Sequence, residues 1–201
     1  MLLCAGFGTR ALLPDGALPL QALRGQVAWG ELGTDAAPFP PFPVSGCGSL
    51  IAGVPIDAPD APGSRPLAAG WLAGATFQRD ADDRAPRAAD HSACLRRLAT
   101  LHPAAASALA PQWDDGSAQP WTGVRATLPD HLPAVGAWMD DGAAHAPDAP
   151  LPPHLLCGLG VRGISMSVLA AELIAAQLHA EPLPIARSLA AKLRASGWRR
   201  A

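Results

Sequence analysis

The strongest constraint on this chain lies near its end, where an apolar strand, a glycine-rich loop and a nearly all-apolar helix follow one another directly. His154-Leu155-Leu156-Cys157 reads as strand, Gly158 to Gly163 as loop and Met166 to Leu178 as helix. Ten of the thirteen residues in that helical stretch are apolar. A helix that is apolar nearly all round is expected to be buried. Glu181-Pro182-Leu183-Pro184 then ends it.

The loop Gly158-Leu159-Gly160-Val161-Arg162-Gly163 satisfies G-x-G-x-x-G. In a βαβ unit that pattern sets backbone N–H groups and a helix N-terminus on a pyrophosphate. Such a unit needs a second parallel strand after the helix, and only Pro-rich sequence and a short final helix follow here. A second match, Gly6-Phe7-Gly8-Thr9-Arg10-Ala11, is cut short by Pro14. Neither reads as a pyrophosphate site. A helix N-terminus still favours negative charge. The local sequence therefore leaves two readings open for 158–163: a loop aimed at the anionic N1/O2 edge of a reduced flavin, or a plain glycine-rich connection.

The rest of the chain mixes strands and helices. Leu2 to Gly6 reads as a short buried strand running into a glycine turn. Leu23 to Trp29, Gly48 to Gly53 and Trp121 to Ala126 are strand-like, and Leu67 to Phe77 reads as a strand pair whose glycines mark bulges. Asp90 to Leu101 is a helix candidate with Asp90 as its N-cap and Leu95, Leu98 and Leu101 along one side. Apolar residues make up 49% of the 201 residues and charged ones 16%, enough for a core and unlike a disordered chain. A net charge of −2 supplies no global field for nucleic acid. The basic cluster Lys192, Arg194, Arg199 and Arg200 reads as a solvated helix end and tail. Cys4, Cys47, Cys94 and Cys157 are scattered without a C-x-x-C pair, which predicts reduced thiols, no metal site and a cytoplasmic location. The start lacks a basic n-region, so no signal peptide is expected, and no apolar run approaches the ~20 residues of a membrane span.

Four segments in fixed order carry a resemblance: Leu23-Arg24-Gly25-Gln26-Val27; Gly74 to Phe77 with Arg79, Asp80 and Asp83; Trp121 to Gly136; and Gly158 to Gly163 leading to Leu169-Ala170-Ala171-Glu172-Leu173. The chain resembles the D-amino-acid-oxidase-like FAD family over nearly its whole length. Within it, it is most similar to the branch that acts on modified tRNA. Residues 121–136 are the most specific part.

The resemblance implies an α+β fold: an antiparallel or mixed substrate-binding sheet plus the C-terminal strand–loop–helix part of an FAD-binding α/β domain. It divides the chain into 1–16, the end of the FAD-binding domain; 17–128, the substrate sheet; and 129–201, the return to the FAD-binding domain with C-terminal helices. It implies FAD as cofactor and oxidation of a C–N bond: hydride passes from the carbon beside the amine to the flavin, water hydrolyses the imine, and oxygen reoxidises the flavin. In the tRNA branch the substrate is a carboxymethylaminomethyl group on a wobble uridine, released as glyoxylate. The alternatives are an oxidase of a free amino acid such as glycine or sarcosine, and a non-catalytic fragment.

The resemblance places Arg125 where a guanidinium holds the substrate carboxylate, a role suited to its planar fork. Gln26 is a second substrate-side candidate. Ala5 and Gly6 fall beside the cofactor's path, and Gly158, Leu159, Gly160, Val161, Arg162, Gly163, Ile164 and Ser165 on its flavin loop. No catalytic residue is assigned: His131, beside Asp130 and Leu132-Pro133, is expected to shape a turn. Three departures stand out. Val161 replaces a usual serine, Met166-Ser167-Val168 replaces Ser-Ala-Pro, and Leu128 sits where threonine is common. No acidic ribose partner or pyrophosphate fingerprint is present, so the chain is expected to be the C-terminal part of a longer enzyme, without its FAD-binding front and methyltransferase portions. Alone it should bind FAD weakly or not at all.

Overall fold

The computed structural model describes residues 1–33, 38–56, 68–138 and 152–196. Leu67, Arg199 and Arg200, singled out above, lie outside them. In chain order the elements are β1 (Leu2–Leu3), α1 (Thr9–Leu12), β2 (Gln21–Glu31), β3 (Val44–Ser45), β4 (Ser49–Ile56), β5 (Ala68–Gly74) and β6 (Gln78–Arg79). There follow α2 (Ala88–Leu101), α3 (Pro103–Asp114), β7 (Gln119–Thr127), β8 (Ala134–Ala137), β9 (His154–Cys157), α4 (Gly163–His179) and α5 (Arg187–Lys192). Short 3-10 turns at Gly6–Gly8 and Gly160–Arg162 precede α1 and α4. The mixture of helices and open sheets is the expected α+β class.

The chain forms two compact units: Met1–Leu23, Arg79–Asp82 and Val124–Ala201 in the first, Arg24–Gln78 and Asp83–Gly123 in the second. The second is built on a sheet of order β3-β4-β5-β2-β6, with β7 also pairing β2. Along β2 every second residue from Ala22 to Gly30 is buried, the period of a strand with one covered face. At Gly30 the reason for glycine is direct: a Cβ there would come within 2.6 Å of the Gln112 side-chain oxygen. That oxygen accepts a 3.0 Å hydrogen bond from the Trp71 indole, and Trp71 stacks on Trp113 of α3 at 5.0 Å. From α2, Cys94 and Leu98 enter this core one helical turn apart, and from α3, Ala105, Ala106 and Leu109 do so.

Several expectations are corrected in this unit. Residues 68–74 form one strand, which antiparallel partners β2 and β4 flank. Asp90 is not the N-cap of α2. Arg87 occupies that place, and Asp90 sits in the first turn, buried. Its carboxylate meets a guanidinium, a stronger claim on it than a helix amide. The helix α3 has no counterpart among the sequence expectations; Pro103 occupies its first turn, where a missing N–H costs nothing, and Pro111 lies within it. His102 caps it, Nδ1 accepting from the Ala105 N–H at 3.2 Å.

In the first unit β1 pairs in parallel with β9, and β9 antiparallel with β8. Leu155 and Cys157 face one apolar cluster with Leu18, Leu20, Ala126 and Leu128. Val135 and Leu156 face a second one with Ala170, Leu173 and Ile174 of α4. The helix is not buried all round, contrary to its composition. Ile164 is 97% and Val168 68% exposed, and Leu178 is exposed too. Only the side that meets β8 and β9 is covered within the described residues. The stretch Gly160–His179, twenty residues of mean hydropathy 1.4, also corrects the statement that no segment is long and apolar enough to cross a membrane. Counting only 166–178 left out the loop residues that complete the length, and the core helix of a globular domain meets the same criterion.

Candidate active site

β1 and β9 run side by side in the same direction, so their C-terminal ends deliver two glycine turns to one place. A cavity of about 320 Å³ opens there, lined by Gly6 from the first turn, Gly158, Leu159 and Gly160 from the second, and Arg125 from β7. Gly6, Gly158 and Gly160 have φ of +56°, +75° and +57°, which L side chains adopt only with strain. At Gly158 space is short as well: a Cβ would lie 3.0 Å from Leu128 Cδ1. An isolated bridge between Thr127 and Leu159 ties the end of β7 to the loop. It fixes Arg125, two residues back along the same strand face, against the glycines. Arg125 is half-buried, and burial pushes its guanidinium pKa down from the ordinary value. No carboxylate is among the described residues lining the cavity.

The other sequence candidates are placed as follows. Val161 and Arg162 line a smaller neighbouring cavity of about 130 Å³ with Thr127 and His131. The Arg162 guanidinium donates to the His131 carbonyl. His131 has φ of +61° and its N–H donates to the Leu128 carbonyl at 2.9 Å, the geometry of a turn residue. Gly163 and Ile164 begin α4, whose N-terminus has no side-chain cap. A Cβ at Gly163 would meet nothing within 4 Å, so this end of the helix is open. Ser165 turns its hydroxyl onto the Arg162 carbonyl at 3.1 Å. Ala5 accepts the Gly8 N–H through its carbonyl at 3.0 Å and lines neither cavity.

Gln26 is corrected. It is fully buried in the second unit. Its side-chain oxygen accepts from the Arg87 N–H at 2.8 Å and its amide donates to the Arg87 carbonyl at 3.0 Å. Thr122 and Arg24 also reach that oxygen, both at 3.3 Å. A side chain with both ends engaged and no exposed surface holds the fold and has no group left for a substrate.

Cys4 and Cys157, read as scattered, also line the Arg125 cavity. Burial, and then the nearby Cys4, push the Cys157 thiol up to about 12. A signal for this was present: Leu2-Leu3-Cys4-Ala5-Gly6 and Leu155-Leu156-Cys157-Gly158 share one pattern, an apolar pair and a cysteine before a glycine turn. Among the described residues no group of three or more His, Cys, Asp or Glu gathers as a metal site would require.

Residues 1–177 match the DAO family model, described as FAD dependent oxidoreductase. The chain is 40% identical over 193 residues to the tRNA 5-methylaminomethyl-2-thiouridine biosynthesis bifunctional protein MnmC of Polaromonas naphthalenivorans, covering 92% of this chain and 27% of that protein. It is 41% identical over 209 residues to the protein of that name from Verminephrobacter eiseniae, covering 96% and 31%. It thus spans less than a third of the length of these relatives. Its fold is similar to that of glycine oxidase from Geobacillus kaustophilus, with a TM-score of 0.63 at 19% identity over 98% of this chain and 45% of that one. With the family model matching residues 1–177 and two glycine turns converging beside a half-buried arginine, the chain belongs to the FAD dependent oxidoreductase (DAO) family.

Proposed function

We propose that this chain is the C-terminal oxidase portion of an enzyme that removes the carboxymethyl group, as glyoxylate, from carboxymethylaminomethyl-uridine at the tRNA wobble position. The observation that carries it is Arg125 in one cavity with Gly6, Gly158 and Gly160. The kinship with the tRNA-modifying bifunctional proteins supplies the substrate class. On this reading the first unit serves the flavin and the second carries most of the substrate sheet, in a cytoplasmic enzyme with tRNA as partner.

The residues fit FAD. Glycines at positive φ let a flat ring approach the backbone, and the uncapped N-terminus of α4 directs free amides and a partial positive charge towards it. Gly158 to Ser165 would hold the ring edge, with Ala5 and Gly6 along its side. When bound, the flavin supplies the two-electron oxidation of the C–N bond. Arg125 pairs with the substrate carboxylate through two parallel hydrogen bonds and so fixes the adjacent carbon for oxidation. The partial burial of Arg125 strengthens that pairing relative to bulk water.

The test uses the full-length enzyme that contains this chain. With tRNA carrying the carboxymethylaminomethyl group, glyoxylate should appear in step with loss of that modification, and glycine and sarcosine should be turned over far more slowly. Equal or faster turnover of the free amino acids would overturn the tRNA assignment. The 201-residue chain by itself has no pyrophosphate fingerprint inside a βαβ unit and should purify nearly colourless. Stoichiometric yellow flavin in it would overturn the view that most of the FAD grip lies elsewhere.

A further inference from the structure

We propose that the first unit carries a phosphate-binding cavity, separate from the Arg125 cavity and built on Arg187 and Arg194. It is an open concavity of about 540 Å³ that shares no described lining residue with the Arg125 cavity. His154 lines it at the start of β9, whereas Cys157 lines the other at the end of that strand. Four residues of strand put them about 10 Å apart.

Charge is the first argument. Arg187 and Arg194 both line the space, and none of the described residues that line it is Asp or Glu. Among the described residues neither guanidinium makes an ion pair or a hydrogen bond. Two unneutralised cations therefore share one concavity in a chain whose net charge is −2. Arg187 and Ala190 lie one turn apart on α5, and Arg194, just past the end of that helix, is held to β8 by a bridge with Val135; all three line the space. Ala190 between them keeps the floor low.

The second argument is how the opposite wall is built. Gly136 on β8 has φ of +107°, and a Cβ there would lie 2.6 Å from the Gln177 side-chain oxygen. Glycine is thus what lets the Gln177 amide lie against the strand. His154 is buried, with Nδ1 3.0 Å from the Pro152 carbonyl. A carbonyl only accepts, so Nδ1 carries the proton, and this bond fixes the ring in the wall. Ser196 adds a hydroxyl to the lining. The lining therefore offers two guanidinium forks, an amide and a hydroxyl, a donor set for a tetrahedral oxyanion with several acceptor oxygens. A single carboxylate would occupy one fork and leave the other unmatched, so a phosphate group fits better.

Position is the third. β8 lies at the edge of the β1-β9-β8 sheet opposite β1. A strand added to the free edge of β1 would leave this cavity uncovered. The phosphate could belong to an RNA backbone or to a small phosphorylated compound.

The test is a calorimetric titration of the 201-residue chain with inorganic pyrophosphate in phosphate-free, low-salt buffer. Saturable binding at one site is expected. Arg187→Ala and Arg194→Ala should each weaken it about tenfold or more, and Arg187→Lys should fall between wild type and Arg187→Ala. All three variants should keep the wild-type melting temperature, because neither guanidinium is used by the fold. Unmodified tRNA added as competitor separates the sources: displacement of pyrophosphate points to an RNA backbone, and its absence to a small phosphorylated ligand. No saturable binding, or binding unchanged in the Arg187→Ala/Arg194→Ala double variant, would overturn the proposal.

Discussion

Arg24, in the second unit, has no exposed surface and is enclosed by polar partners; Arg125, in the first, is half-buried and lines a cavity walled largely by glycine and apolar residues. The Arg24 guanidinium meets Asp90 at 2.5 Å and Asp83 at 3.3 Å. It also donates to Gln78 at 2.9 Å and to the Ala85 carbonyl at 2.5 Å. Gln78 returns to Asp90 through its own amide at 3.0 Å, so the cluster closes on itself. The two arginines share a residue type and a strand setting. What separates them is what lies beside the guanidinium. Arg24 is sealed among carboxylates and amides and holds structure; Arg125 lines a glycine-walled cavity that a ligand can enter.

The largest effect should come from breaking the closed cluster. Arg24→Ala leaves Asp90 buried without its partner and should cost about 3–5 kcal/mol, measured by urea unfolding of the chain. Asp83→Ala removes a carboxylate that is 42% exposed and should cost under about 1 kcal/mol. Equal losses from the two would show that burial is not what sets the value of this cluster.

Next in size is Arg125, tested in the full-length enzyme. Arg125→Ala should lower kcat/KM by roughly 30- to several-thousand-fold, the equivalent of about 2–5 kcal/mol. Arg125→Lys keeps the charge but loses the fork and should fall between. Flavin content, read from the visible spectrum, should stay the same in both. A variant that sheds its flavin would make Arg125 a structural residue like Arg24.

A smaller effect is expected at the turns beside it. Gly158→Ala must take a positive φ and meet Leu128, which should cost about 1–3 kcal/mol in a thermal melt. Gly6→Ala meets open space and should cost about 1 kcal/mol from backbone strain alone. If the two cost the same, crowding by Leu128 is not part of what makes position 158 glycine.

The mildest effects concern the thiols. Cys4 and Cys47 are exposed, whereas burial raises Cys94 to about 11 and Cys157 to about 12. At pH 8 on the order of one Cys157 in ten thousand is ionised, so iodoacetamide should label Cys4 and Cys47 first in a mass-spectrometric time course. Raised pKa values mean the folded state holds these protons more tightly than the unfolded chain. The stability they contribute is present below pH 9 and lost as pH rises through 11 and 12. Early labelling of Cys157 would mean that the wall of the Arg125 cavity opens readily.

What was legible in the sequence was whatever depends on neighbours. The β9–loop–α4 unit shows in its apolar run and its glycines, and β2, β4 and β7 in their β-branched and aromatic stretches. The fate of Asp90 was not legible, because its partner Arg24 is 66 residues away and a helix cap is the local explanation for an aspartate at that place. Nor was the saturation of Gln26 by Arg87 and Thr122. The meeting of Gly6 with Gly158 left only one local trace, the apolar pair and cysteine before each turn; the parallel pairing that makes it joins residues about 150 apart. Composition also misjudged α4: it told that the helix is apolar on every side, not which sides this chain covers.

The pairing of β1 with β9 also has a consequence in time. Leu2 lies opposite His154, so about 150 residues must be looped out before the first strand meets its partner. During synthesis at about 5–20 residues per second, that partner leaves the ribosome on the order of ten seconds or more after β1 does. In that interval residues 24–123 have all emerged, and the second unit can complete its core, Trp71 on Trp113 included, while Met1 and Leu2 still wait. A nascent chain of this protein therefore carries β1 without its β9 partner throughout that interval, and β1 can take its place in the β1-β9-β8 sheet only after Cys157 has emerged.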